Sequence, residues 1–105
     1  MGNRELIILL AYSESSLNYN AKHSKKGVVG ICGIDTRYWA NELKDNGIKI
    51  NSLESCEYVF NYYLEKNKGN KKKALLDYKG VINDKKVSGV VETILQKEKE
   101  LKKDK

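Results

Sequence analysis

The residue whose type and position best suit chemistry in this chain is Glu14. An apolar segment with helical periodicity precedes it at positions 6–11, and it lies within a polar stretch, Ser13–Asn20. A glutamate at the C-terminal end of an apolar helix can project from a protein core into a cleft. Burial there would raise its pKa, and a carboxyl group that stays protonated near neutral pH can act as a general acid.

The other reactive residue types occur in less suggestive patterns. His23 is the only histidine, and it lies in a lysine-rich segment without a marked partner, so we expect a surface histidine rather than part of a nucleophile–base pair. Gly27, Gly30 and Gly33 do not have the spacing of a dinucleotide- or phosphate-binding loop. We expect these glycines to allow a close backbone approach in a tight loop.

Cys32 and Cys56 leave two interpretations open. Neither belongs to a CxxC or HxxxH pattern, so a zinc site is not expected. The two thiols would pair in an exported protein. The sequence favours the other interpretation, in which both are small apolar residues buried in a core.

The composition fits one globular domain over residues 1–105. Hydrophobic residues make up 40% of the chain and charged residues 32%, and proline is absent, which is compatible with a mainly helical fold. The net charge of +6 favours polyanionic partners such as nucleic acid, anionic lipid or an acidic cell-wall polymer. Acidic residues alternate with lysines over residues 96–105, which is typical of a solvated, charged helix end.

Hydrophobic periodicity predicts about five helices. Their predicted spans, in chain order, are Arg4–Ser13, about Asp35–Lys44, a segment from a cap at Asn51 or Ser52 to a break at 68–70, about Lys71–Tyr78, and about Lys85–Lys102. Residues 15–34 are predicted to form a loop. The last helix is predicted to bury one face, made of Val87, Val90, Val91, Ile94, Leu95 and Leu101.

Two groups of residues resemble the motifs of one enzyme family. The first reads Glu14-Ser15, Leu17-Asn18, Ala21, Ser24, Gly27, Gly30 and Ile34, and the second reads Tyr63-Leu64, Gly69-Asn70 and Ala74-Leu75-Leu76-Asp77-Tyr78-Lys79-Gly80. In this order they are similar to the glutamate and tyrosine motifs of soluble lytic transglycosylase catalytic domains, in the goose-type lysozyme superfamily. Together the matches span about two thirds of the chain.

The resemblance implies a mainly α, lysozyme-like single domain with a substrate cleft. It implies that Glu14 is the acid/base that cleaves the β-1,4 bond between N-acetylmuramic acid and N-acetylglucosamine, leaving a 1,6-anhydromuramyl end. Ser15, Ser24, Gly30 and Tyr78 would bind the substrate or position Glu14. Neither a cofactor nor a metal ion is expected.

Several features depart from the family motifs: the loop reads Gly30-Ile31-Cys32-Gly33 where the family has Gly-Leu-Met-Gln, and the segment between Ala21 and Gly27 is one residue longer. Gly33 stands where the family has a glutamine that helps to bind substrate, Tyr19 replaces a proline, and Lys79 replaces an asparagine. Two alternatives therefore remain beside the transglycosylase. One is a lysozyme or endolysin that hydrolyses the same bond, and the other is a non-enzymatic domain that binds peptidoglycan or nucleic acid, which Gly33 and Lys79 favour.

The implied partner is the peptidoglycan glycan strand of a bacterial cell wall, in a cell-envelope, phage or secretion assembly, without an obligatory nucleic acid. The implied location is the periplasm or cell envelope. The apolar run Leu6–Ala11 is too short for the core of a normal signal peptide. It is also too short to span a membrane, and no transmembrane segment is expected.

Overall fold

Five helices make up most of the chain that the structure describes, a computed structural model covering residues 3–24, 26–80 and 85–103. They are α1 (Arg4–Ser15), α2 (Thr36–Asp45), α3 (Leu53–Lys66), α4 (Lys71–Lys79) and α5 (Lys85–Lys103). The prediction of a mainly helical chain with about five helices is confirmed. The internal packing divides the chain into two units, Leu10–Tyr58 and Met1–Leu9 with Val59–Lys105, and the single lysozyme-like domain with a cleft stays a prediction.

Polar side chains cap the helices at positions near those predicted. The Asp35 carboxylate accepts a hydrogen bond from the backbone N–H of Arg37 at the start of α2. The hydroxyl of Ser52, rather than the amide of Asn51, accepts from the backbone N–H of Ser55 at the start of α3, over 3.1 Å. Each cap satisfies a backbone donor that has no partner inside its helix.

A β-hairpin lies inside the segment that was predicted to be a loop. Its strands are β1 (Val28–Val29) and β2 (Ile34–Asp35), which pair antiparallel with Val29 opposite Ile34. Lys22 forms a further antiparallel bridge with Val29. Two-residue strands are too short to show the alternation that identifies a strand in a sequence, which explains why the hairpin was missed.

The unit Leu10–Tyr58 contains a disulfide bond that joins its hairpin turn to α3. Cys32 and Cys56 are bonded, with their Cα atoms 5.6 Å apart, so the favoured interpretation of two unpaired cysteines is wrong. Both are buried among the apolar residues of this unit, which are Leu10, Ala11, Ile31, Ile34, Trp39 and Leu43. On α3, the Tyr58 hydroxyl donates to Glu42 Oε2 over 2.7 Å, and this hydrogen bond raises the pKa of Tyr58.

The other unit packs α4 against α5. Its buried apolar residues are Leu6, Ile7, Val59, Phe60, Ala74, Leu75, Val91 and Ile94. The predicted buried face of α5 is wrong at Val90 and Leu101, which are exposed, and Glu98 is buried instead, with 4% of its surface accessible. Positions 91, 94 and 98 are three and four residues apart, so they lie on one helix face, and Glu98 therefore lies inside the segment predicted to be solvated.

Two lysines neutralise the buried carboxylate of Glu98. Lys71 Nζ lies 3.3 Å from it and Lys102 Nζ lies 3.4 Å away. The adjacent Lys72 pairs with Glu92 over 2.7 Å, but both of those side chains are about half exposed, at 49% and 61%. The Lys72 hydrogen bond lowers the pKa of Glu92. None of the described helices is long and apolar enough to cross a membrane.

Replacing Lys71 by methionine should destabilise the protein, because it removes one of two cations from a buried carboxylate. We expect Lys71→Met to lower the free energy of unfolding by about 1–2 kcal/mol, measured by denaturant titration. The matched control is Lys72→Met, which removes an exposed pair from the next position of the same helix and should leave the transition midpoint unchanged. Equal losses in both variants would contradict the buried pairing.

Breaking the disulfide should destabilise the protein, because the bond restricts the unfolded chain between residues separated by 24 positions. We expect reduction to lower the free energy of unfolding by about 3 kcal/mol, measured by denaturant titration with and without a thiol reductant. A variant that combines Cys32→Ala with Cys56→Ala is the control and should not respond to reductant. A wild-type transition that reductant does not move would show that the bond contributes nothing.

Candidate active site around Glu14

The candidate site begins where α1 ends. The helix runs two residues beyond its predicted end at Ser13, so Glu14 occupies the last turn and is half-buried. Immediately after Ser15 the chain takes two left-handed residues, Ser16 with φ 57° and Leu17 with φ 63°. Such a conformation costs a residue other than glycine about 1–2 kcal/mol, and backbone strain of this kind is concentrated at functional sites.

The hydroxyl of Ser15 connects the end of α1 to the hairpin turn. It lies 2.7 Å from the carbonyl oxygen of Ile31, to which it donates, and it accepts from the backbone N–H of Asn18 over 3.1 Å. The first bond spans sixteen residues of chain and the second closes the tight turn that follows the helix. Ser15 therefore fixes the end of α1, next to Glu14, to the hairpin turn and to Asn18, and its predicted contact with substrate stays a prediction.

The hairpin turn itself is Gly30-Ile31-Cys32-Gly33, which joins β1 to β2. The backbone N–H of Gly33 donates to the carbonyl of Gly30 over 3.3 Å, and both glycines have positive φ, 82° at Gly30 and 60° at Gly33. The side-chain oxygen of Asn51 accepts from the N–H of Ile31 over 2.8 Å, while its nitrogen donates to the carbonyl of Tyr19 over 2.7 Å. Asn51 therefore holds the turn to the segment that follows α1.

His23 is bonded to the same turn. Its ring is half-buried, and Nε2 lies 2.7 Å from the carbonyl oxygen of Gly30. Because a carbonyl oxygen can only accept, Nε2 must carry the hydrogen. The prediction of a surface histidine without a partner is therefore wrong. The antiparallel bridge between Lys22 and Val29 brings the segment that contains His23 alongside β1, close to the turn that begins at Gly30.

Glu14 and His23 both lie close to Gly33, on the side where any other residue would carry its Cβ atom. A Cβ atom placed on Gly33 would lie 3.1 Å from Glu14 Oε1, 3.2 Å from His23 Cε1 and 3.5 Å from His23 Nδ1. The carboxylate and one edge of the imidazole thus both lie within 3.5 Å of one point. Beside Gly33, the site therefore combines a carboxyl group that can exchange a proton with an imidazole ring that can bind a ligand.

The remaining predicted site residues lie in different settings. Ser24 is exposed, and its neighbour Lys25 lies outside the described residues. Gly30 is buried and its carbonyl is hydrogen-bonded to His23, so its observed role is to shape the turn. Tyr78 belongs to α4 in the other unit, where it is half-buried with its ring edge-on to Tyr63 at 6.4 Å. Its predicted position near Glu14 stays a prediction.

Sequence reasoning missed His23 and Asn51 as parts of this site. His23 lies in the segment that was predicted to be a loop, and its bond to the Gly30 carbonyl has no signal in the local sequence. Asn51 was interpreted as a helix cap because it stands three residues before Glu54, and its side chain instead bonds to backbone groups 20 and 32 residues away. Among the described residues no group of histidine, cysteine, aspartate or glutamate is arranged to hold a metal ion.

Adding a methyl group at Gly30 should disrupt the turn. The new Cβ would lie 2.6 Å from Cγ of Asn51, at a backbone position with φ 82°. Gly47 is a matched control in the same unit, since its φ is 69° but a Cβ there meets nothing within 4 Å. We expect Gly47→Ala to cost about 1 kcal/mol of unfolding free energy and Gly30→Ala about 3 kcal/mol, measured by denaturant titration; equal costs would contradict the close packing.

Comparisons with known proteins find no relative of this chain: no family model, no curated protein and no solved structure matches it significantly. The resemblance to lytic transglycosylases therefore depends on the two groups of motif residues alone. The geometry around Glu14 is independent of that resemblance.

Proposed function

We propose that this protein is a peptidoglycan lytic transglycosylase in which Glu14 is the acid/base. The observation that carries the proposal is the position of Glu14 Oε1 against Gly33, at the end of a helix and beside a braced hairpin turn. A half-buried carboxyl group on a rigid backbone can present its proton to a ligand in a fixed direction. Gly30, which begins this turn, also belongs to the group of residues that resembles the glutamate motif of lytic transglycosylases.

In the proposed reaction, protonated Glu14 gives its proton to the oxygen that links N-acetylmuramic acid to N-acetylglucosamine. The bond from that oxygen to the muramyl anomeric carbon breaks with oxocarbenium character at the carbon. The Glu14 carboxylate then takes the proton of the muramyl 6-hydroxyl, whose oxygen bonds to the anomeric carbon and closes the 1,6-anhydro ring. The proton count balances, and water is not consumed.

One carboxylate suffices for this reaction because the nucleophile belongs to the substrate. An intramolecular hydroxyl is already close to the anomeric carbon, so a second acidic residue is not needed to hold a water molecule. Exposed tyrosines flank Glu14 in the chain, Tyr12 at 60% and Tyr19 at 50% accessibility. Rings of this kind stack on sugar faces and offer a hydroxyl at their edge.

Two further observations support a cell-wall setting for this activity. Disulfide bonds persist mainly in oxidising compartments such as the bacterial periplasm, and Cys32 and Cys56 form one. The net charge of +6 favours the acidic peptide stems of the wall. Both observations fit the periplasm or cell envelope as the proposed location.

The test is mass spectrometry of purified peptidoglycan after digestion by the wild type and by Glu14→Gln. We expect anhydromuropeptides with the wild type and a loss of at least about a thousandfold with Glu14→Gln, because the amide cannot donate or accept the proton. Glu54→Gln is the matched control, since Glu54 is an exposed glutamate of the same unit, and it should retain wild-type activity.

Each other outcome overturns a defined part of the proposal. Reducing muramyl ends that depend on Glu14 would mean that water is the nucleophile and that the protein is a hydrolase. Unaltered peptidoglycan with both proteins would exclude catalysis and leave a binding domain. Anhydro products that persist in Glu14→Gln would exclude Glu14 as the acid/base.

A further inference from the structure

Gly33 leaves the proposed site without one of the groups that the family motif supplies. The family has a substrate-binding glutamine at this position, and glycine has no side chain with which to replace it. The position nevertheless lies at the centre of the site, because a Cβ there would stand 3.1 Å from Glu14 Oε1. Position 33 therefore brings no side chain of its own to the site, and the side chains beside it are Glu14 and His23.

We propose that His23 is the residue that binds the glycan beside Glu14, in the place of the absent side chain at position 33. The inference rests on the proposed function and deepens it by naming a binding residue. His23 Cε1 and Nδ1 lie 3.2 and 3.5 Å from the Cβ position of Gly33. A larger residue at 33 would have to displace either the imidazole or the Glu14 carboxylate, so glycine at 33 and histidine at 23 fit each other.

The hydrogen bond to Gly30 determines which ring atom is available to a ligand. Nε2–H is used by the Gly30 carbonyl over 2.7 Å, and in the neutral ring Nδ1 therefore has the lone pair. Nδ1 is also the nitrogen on the edge that faces Gly33. It accepts a hydrogen bond from a sugar hydroxyl or from the N–H of an N-acetyl group, and both occur on every residue of the glycan strand.

The His23 ring has a fixed orientation, which suits it to bind a ligand. Its anchor is a backbone carbonyl in a turn that the Cys32–Cys56 bond and the Asn51 side chain also fix. A ligand therefore meets an imidazole whose orientation is already set, and little side-chain entropy is lost on binding. Neighbouring Lys22 and Ser24 are exposed and do not share this anchor.

The first test observes His23 directly. Because the chain contains a single histidine, the imidazole nitrogen resonances of isotope-labelled protein belong to His23 alone. The full chain with Glu14→Gln is titrated with the tetramer of N-acetylglucosamine, which this variant does not cleave. We expect the Nδ1 resonance to move with saturation as the sugar binds, while Nε2 keeps the resonance of a protonated nitrogen.

The second test compares two variants, each of which lacks one side chain that is hydrogen-bonded to the Gly30–Gly33 turn. In the Glu14→Gln background, His23→Ala removes the ring, whereas Asn51→Ala removes a turn anchor that is not at the Gly33 position. We expect His23→Ala to weaken tetramer affinity about tenfold, the value of one hydrogen bond to a ligand, and Asn51→Ala to weaken it less. Calorimetric titration measures both, with circular dichroism as the check on folding.

The outcomes separate this inference from the proposed function. Sugar binding that shifts backbone resonances but leaves Nδ1 unmoved would overturn the role of His23 and leave the function standing. Equal losses of affinity in His23→Ala and Asn51→Ala would mean that His23 only holds the turn in place and does not bind the sugar. Absence of any tetramer binding would overturn the inference, while the proposed function is decided separately by the anhydromuropeptides released from peptidoglycan. If His23→Ala does not fold, the Nδ1 titration still decides, because it uses the intact ring.

Discussion

The candidate site depends on the way in which one four-residue turn is fixed to the rest of its unit. Gly30-Ile31-Cys32-Gly33 has two residues with positive φ, a conformation that glycine adopts without steric cost. Four attachments hold it: the Ser15 hydroxyl and the Asn51 amide on Ile31, the His23 ring on Gly30, and the disulfide from Cys32 to Cys56. Because these attachments come from the end of α1, from His23, from Asn51 and from Cys56 on α3, the turn determines where the end of α1, and with it Glu14, lies relative to His23.

The sequence predicted the parts of this arrangement that depend on local periodicity. Apolar residues at helical spacing located α1 to α5, and the predicted start of the second helix at about Asp35 agrees with the cap that the Asp35 side chain forms. The contacts that were not predicted all join residues that are far apart in the chain. Asn51 bonds across 20 and 32 residues, Cys32 pairs across 24, and the buried carboxylate of Glu98 pairs with Lys71 of another helix. Local spacing cannot show such a partner, so each of these residues was assigned the role that its immediate neighbours suggested.

His23 shows how the same lack of tertiary information affects a functional prediction. In the sequence it is one histidine among lysines, and that setting is typical of a solvated side chain. In the structure its ring is bonded to the Gly30 carbonyl, which orients it, beside a glycine that leaves room for the ring. From the sequence, glycine at position 33 was interpreted as the loss of the substrate-binding glutamine that the family motif contains. In the proposed site, His23 supplies the polar group beside Glu14 from a different segment of the chain.

The central claim is that Glu14 meets the glycan at this turn, and a crystal structure of Glu14→Gln bound to a peptidoglycan tetrasaccharide tests it most directly. The account predicts that the linking oxygen between the two central sugars lies about 3 Å from the side chain of residue 14, the distance needed for proton transfer. It also predicts that the His23 ring edge contacts one of the same two sugars. A tetrasaccharide bound away from the Gly30–Gly33 turn, with residue 14 out of hydrogen-bonding reach, would contradict the account.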